Sequence, residues 1–194
     1  MDIVLATTNK KKAAEMNRIF AGNAIRFLTL DAFPGYPDVE EDGKTFRSNA
    51  LKKARAVACF TVHPALADDS GLEVPSLHNA PGVYSARYAG EGATDEKNLK
   101  KLLRDMRGFK AGDRAARFVC CMAFVLPDGH HKTFSGYVTG RIGTKKRGDN
   151  GFGYDPVFYP EGRNRTFAEM DASEKDSLSH RGRALKKLSQ YLFP

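Results

Sequence analysis

Apolar and polar residues fall into blocks whose spacing changes along the chain. The first block, 2-DIVLA-6, is an apolar run that stops at the polar 7-TTNKKK-12, the pattern of a strand feeding a turn. From Lys10 to Ala21, the residues Ala13, Met16, Ile19 and Phe20 recur at helical spacing and predict a helix with one inward face. A second short strand is predicted at 25-IRFLTL-30, followed by a loop holding Pro34, Gly35 and Pro37 and then the acidic stretch 38-DVEEDG-43. A helix is predicted from near Thr45 to about Phe60, with Phe46, Ala50, Ala54 and Val57 on one face. Asn49 and Lys53 stand one turn apart on it, and Lys53 lies within the apolar stripe.

Ala65, Leu66 and Ala67 predict a short strand that carries Asp68 and Asp69 into a Ser70-Gly71 turn. The segment 75–93 is rich in turn residues. Leu99, Leu102, Leu103 and Met106 then mark an amphipathic helix within 95–107. Two longer strands are predicted at 115–126 and 131–142, joined through 127-PDGH-130, where Asp128-Gly129 is a hairpin signal. The segment 151-GFGYDPVFYP-160 reads as an ordered loop entering a strand, and Leu178, Ala184, Leu185, Leu188 and Leu192 as a C-terminal helix capped by Ser177 or Ser179. Strands and helices mixed in this order predict an α/β architecture.

A length of 194 residues suffices for one core, and no linker or repeat divides the chain, so residues 1–194 read as a single domain. Ile3 to Ala6 is too short for the apolar part of a signal peptide, and no run approaches a membrane span, which predicts a cytoplasmic protein without a membrane partner. Cys59, Cys120 and Cys121 form neither a disulfide framework nor a zinc-type pair and are read as reduced core or half-buried residues. A net charge of +8 favours a polyanionic ligand. Because the lysines are scattered over several helices while the acids cluster, the pattern speaks against nucleic acid.

Three segments can carry chemistry. Thr7, Thr8, Asn9, Lys10, Lys11 and Lys12 stand at a helix start, where hydroxyls, an amide and lysines can cradle phosphate; the alternative is a solvated helix end, and P-loop glycines are absent. Glu40, Glu41, Asp42, Asp68 and Asp69 are oxygen donors without a nearby His or Cys cluster, a set that suits Mg²⁺ or Mn²⁺ better than zinc, or else are solvated loop acids. Lys175, His180 and Arg181 offer donors at the start of the last helix, and Phe152 and Tyr154 offer rings for a base or for the core. Lys53 either lines a cleft or snorkels at the edge of its helix.

In order along nearly the whole chain, 3-IVLATTNKKKAAEM-16, 43-GKTFRSNALKKA-54, 67-ADDSGLEV-74, 80-APGVYSARYAG-90, 95-DEKNLKKLL-103, 150-NGFGYDPVF-158 and 174-EKDSLSHRGRALKKL-188 resemble the inosine triphosphate pyrophosphatase family, and within it the bacterial dITP/XTP pyrophosphatase branch. The resemblance implies an elongated mixed β-sheet flanked by helices, two lobes with a central substrate cleft, and a homodimer. It also implies hydrolysis of non-standard purine nucleoside triphosphates (XTP, ITP, dITP) between the α and β phosphates, with Mg²⁺ as cofactor and Mn²⁺ as a substitute. By the same resemblance Glu41 and Asp69 are metal ligands, Asp69 the proton acceptor, and Lys53 the lysine reaching the triphosphate. The phosphate turn is Thr7 to Lys12, with Thr7, Asn9 and Lys12 as the matched positions. The remaining substrate contacts are Ser70, Phe152, Gly153, Tyr154, Asp155, Lys175, His180 and Arg181. One place departs from the family pattern: the loop 143-GTKKRGDN-150 is more basic than expected.

Overall fold

The computed structural model describes residues 1–22 and 24–193. It is an α/β fold built on a six-stranded mixed sheet of order β2-β1-β3-β4-β5-β6, flanked by helices. The strands are β1 (Asp2–Leu5), β2 (Arg26–Leu28), β3 (Ala65–Glu73), β4 (Ala115–Val125), β5 (His131–Ile142) and β6 (Phe158–Pro160). β1 pairs in parallel with β2 and β3, whereas β5 and β6 are antiparallel. The helices are α1 (Lys10–Ile19), α2 (Phe46–Thr61), α3 (Asp95–Asp105), α4 (Ala172–Leu178) and α5 (His180–Leu192). Among the described residues, no helix is long and apolar enough to cross a membrane.

The chain divides into two compact units, one made of 1–69, 120–135 and 184–194, the other of 70–119 and 136–183. In the first unit the period-2 geometry of strands sends alternate side chains to opposite faces of the sheet. Ile3, Leu5, Leu66, Cys120, Met122 and Phe124 therefore pack with Met16 and Phe20 of α1 and Leu185 and Leu188 of α5. Val4, Ala6, Ala65, Ala67, Ala123 and Val125 pack with Ala50, Ala54, Val57 and Ala58 of α2. The small residues on this second face let α2 come close to β3. The second unit has its own core, in which Leu99, Leu102 and Met106 of the amphipathic α3 meet Leu72, Phe118, Val138, Tyr154, Phe158 and Phe167.

Three expectations need correction. β3 does not end in a Ser-Gly turn: it continues through Asp68, Asp69, Ser70 and Gly71 to Glu73. Burial against helices on both faces, which single-sequence periodicity cannot register, keeps the carboxylates inside a strand. The C-terminal helix begins after Ser179, one of its two expected caps, whose hydroxyl accepts from Gly182 N at 3.0 Å, but Leu178 does not belong to it and instead ends the separate helix α4. Cys59 is exposed on α2, whereas Cys120 and Cys121 are buried.

The β4–β5 hairpin closes as predicted, with Leu126 N donating to His130 O at 2.8 Å and Gly129 at φ +89°. Further along β5, Gly140 faces the edge strand so closely that a Cβ there would lie 2.2 Å from Tyr159 O. Gly140→Ala is therefore expected to force β6 outward and destabilise the protein by about 1–3 kcal/mol, the usual range for overpacking. Urea unfolding of the two proteins measures this directly; a midpoint equal to that of the parent would mean β6 yields without cost.

Candidate active site

In the first unit the chain leaves β1 at Leu5 and turns into α1. Asn9 is the N-cap, its side-chain oxygen accepting from Lys11 N and Lys12 N at 3.0 and 3.2 Å, while Thr7 Oγ1 accepts from Asn9 N at 3.1 Å. This capping fixes the direction in which Lys12 leaves the helix. Its Nζ lies 3.2 Å from Asp68 Oδ1, and Asp68 is wholly buried on β3.

Strand alternation sends Asp69 to the other face, against α2. α2 starts at Thr45, which exchanges hydrogen bonds with Ser48 in a capping box. One turn on, the buried Asn49 uses both ends of its amide: Nδ2 donates to Asp69 Oδ2 at 3.0 Å and Oδ1 accepts from Gly43 N at 2.7 Å. Asn49 thus ties the acidic loop to β3. A side chain at Gly43 would collide with Asn49 Oδ1 at 2.4 Å, so this tie depends on glycine. Lys53, the next residue on that helical face, donates to Asp68 O at 2.8 Å and pairs with Glu41 Oε1 at 3.1 Å.

These neighbours set the protonation of Asp69. Burial pushes its carboxyl up to about 6; the cations Lys53 and Lys12 and the Asn49 hydrogen bond oppose the rise, and the negative Glu41 adds to it. A carboxylate poised near neutrality is what proton abstraction from water requires.

In the second unit, α4 and α5 present the donors. Lys175 is buried and its Nζ donates to Asp155 Oδ2 at 2.7 Å; the same oxygen accepts from Phe152 N at 2.8 Å. Asp155 therefore positions both the lysine and the 151–155 loop. Arg181, 1% exposed, donates from Nη2 to Ser70 Oγ at 2.9 Å, and its guanidinium and the Lys175 ammonium lie 5.7 and 4.7 Å from the centre of the Phe152 ring. His180 stacks on Phe118 with centroids 4.8 Å apart and planes 9° apart.

The Ham1 family matches residues 3–191. The chain belongs to that family. It is 49% identical to the dITP/XTP pyrophosphatase of Geobacter sulfurreducens over 190 residues, 98% of this chain and 96% of that protein. It is also 48% identical to the dITP/XTP pyrophosphatase of Desulforamulus reducens over 99% of this chain and 96% of that one. A Ham1 protein structure from Coxiella burnetii superposes with a TM-score of 0.90 at 44% identity, covering 99% of this chain and 98% of that one.

Within this Ham1 chain, Lys12, Glu41, Lys53, Asp68 and Asp69 form one connected polar group in the first unit, and Ser70, Phe152, Asp155, Lys175 and Arg181 form another in the second. Thr8, Lys10 and Lys11 are exposed beside the first group. Gly153 turns the loop and donates its N–H to Asp95 Oδ2 at 3.0 Å. Tyr154 is a core residue, its hydroxyl donating to Ser85 O at 2.8 Å. Two residues were undervalued in the sequence. Asn49 carried only the signal of standing one turn before Lys53, and Phe118, the platform under His180, looked like any inward residue of a strand.

Among the described residues, no three carboxylate, imidazole or thiolate side chains gather to hold a metal by themselves. A Mg²⁺ site of one or two carboxylates completed by substrate oxygens and water needs no such cluster. Glu41 and Asp69 are close enough for the charge of one to raise the pKa of the other, and both are hard oxygen donors, so this pair fits such an ion.

Proposed function

We propose that this protein hydrolyses XTP, ITP and dITP at the α–β bond to the nucleoside monophosphate and pyrophosphate, as a cytoplasmic, homodimeric Mg²⁺ enzyme in which Mn²⁺ can substitute, acting on neither nucleic acid nor membranes. The observation that carries this reading is the Asp69 carboxyl, buried, held near neutrality and flanked by Lys53 and Glu41. That the relatives are dITP/XTP pyrophosphatases supports the substrate class.

In this reading Glu41 and Asp69 are the residues that would hold Mg²⁺, which would supply positive charge against the phosphate oxygens. Asp69 accepts the proton of the attacking water, and Asn49 fixes its orientation. Lys12 and Lys53 neutralise the charge that grows on the departing pyrophosphate; each leaves a carboxylate to do so, which an ammonium on a flexible stem can do. Lys175, His180 and Arg181 are donors for the base. A purine with oxygen at C6 accepts from them, whereas the amino group of adenine meets donor with donor, at about 1–3 kcal/mol per unpaired group.

The reading is tested by a panel of nucleoside triphosphates assayed for product with and without Mg²⁺. Pyrophosphate release from ITP, dITP and XTP that stops when the metal is chelated is expected, with ATP and GTP much poorer. Orthophosphate as the first product, or equal rates on all purines, would reject it. His180→Ala and Arg181→Ala should each narrow the preference for ITP over ATP; unchanged selectivity in both would place base recognition elsewhere.

A further inference from the structure

The second unit has a cavity of about 410 Å³ whose lining shares no residue with either polar group and includes Arg114, Arg141, Lys145 and Arg147 and no acidic residue. The basic loop 143–150 supplies two of these cations. Its backbone is pinned: Gly143 N donates to Val157 O at 2.7 Å, Arg147 N to Pro156 O at 2.8 Å, and Arg147 O accepts from Thr166 Oγ1 at 2.9 Å. The exposed side chains of Lys145 and Arg147 are thus displayed from a fixed frame rather than from a loose tether.

Arg114 makes the cavity unusual. It is 7% exposed, and its guanidinium donates to three carbonyls, Ile142 O at 2.7 Å, Met106 O at 2.9 Å and Gly143 O at 2.6 Å. No carboxylate among the described residues pairs with it. Its hydrogen bonds are satisfied while its charge is not. A buried cation normally has a counter-ion, because carbonyl dipoles offset only part of the cost of removing the charge from water. Arg141, over the Tyr159 ring at 4.2 Å, adds a further positive charge at the same cavity.

We propose that this cavity is a second anion site, distinct from the proposed catalytic one, that takes a polyphosphate group. Four cations without an acid match a compact multivalent oxyanion better than a single carboxylate; the planar forks of Arg141 and Arg147 suit tetrahedral phosphate oxygens, while Arg114, its donors taken by carbonyls, adds charge. The group can arrive as free inorganic polyphosphate or as the tail of a nucleotide. The site does not depend on the catalytic reading, since it shares no residue with it.

The test is a titration of the ¹⁵N-labelled protein with tripolyphosphate, without divalent cations and at low salt, followed by the backbone amide resonances. Saturable shifts at 142–147 are expected, separate from any at Thr7–Lys12. The Arg141→Ala/Lys145→Ala protein should bind there roughly tenfold or more weakly, as the loss of charge-assisted contacts predicts. Lys145→Glu, which leaves the Arg141–Tyr159 contact in place, should weaken binding comparably. The control Lys132→Ala/Lys186→Ala, which removes the same charge from the first unit, should leave it nearly unchanged. ATP binding at 142–147 more tightly than tripolyphosphate identifies a nucleotide as the source, equal binding identifies free polyphosphate, and both support the site. Shifts that do not saturate, or equal weakening in the control, would overturn it.

Discussion

Asp69→Asn is expected to lower turnover at least ~10²-fold, the lower end of what a positioned acid–base group contributes, while making the metal-free protein more stable. Both effects come from one fact, the burial that lifts this carboxyl to about 6. An amide cannot accept the proton of water and is a poorer ligand for a hard cation. The stability effect follows from linkage. With the folded pKa above the unfolded value near 3.8, the favourable contribution of Asp69 is fully present below about pH 4 and is lost as pH rises through about 6. Above that range the native protein holds a buried charge at a cost of order 2–3 kcal/mol, from a shift of about two units. Asparagine carries no such charge. In the presence of a chelator, the Asn protein should therefore melt higher than the parent at pH 8, and the difference should vanish towards pH 4. Near-parental single-turnover rates in Asp69→Asn would remove the residue from the mechanism. A melting difference independent of pH would remove the electrostatic explanation.

Lys53→Ala should reduce kcat/KM by about 10² or more, the scale of losing one preorganised donor to a developing oxyanion, with a small effect on folding. The Lys53–Glu41 pair is partly exposed on the Glu41 side, so its loss should cost no more than about 1 kcal/mol, with about 1 kcal/mol more for the hydrogen bond to Asp68 O. A second readout separates catalysis from packing. Lys53 is the foremost charge holding the Asp69 pKa down, so without it that pKa moves further up. The acidic limb of the kcat/KM profile should then shift to higher pH. A protein that melts earlier, keeps its rate and shows an unshifted limb would make Lys53 an ordinary lysine snorkelling at the edge of α2.

Much of this site was legible before any coordinate. The period changes located β1, α1, α2, α3 and the β4–β5 hairpin, because each has one apolar face and local capping or turn chemistry that marks its ends. Thr45, Thr94 and Asn9 all cap from positions next to an apolar periodic run. The spacing of Asn49 and Lys53 placed both on the packed side of α2, where the structure has them.

The sequence by itself determined the α/β class, the main elements and, through seven collinear blocks, the family and its chemical vocabulary. Those properties are local or are carried by residue order. Only the tertiary structure decided that Asp68 and Asp69 serve opposite faces of one continuous strand, the first paired with Lys12 and the second with Asn49. Adjacent carboxylates look alike in a sequence, and what separates them is which helix packs on which side. The same holds for Asp155, 20 residues from Lys175, and for Arg181, 111 residues from Ser70. The charge on Arg114, left without a carboxylate, is likewise a product of packing. Burial, and with it protonation and the need for a counter-ion, depends on residues far along the chain, and no local pattern encodes it.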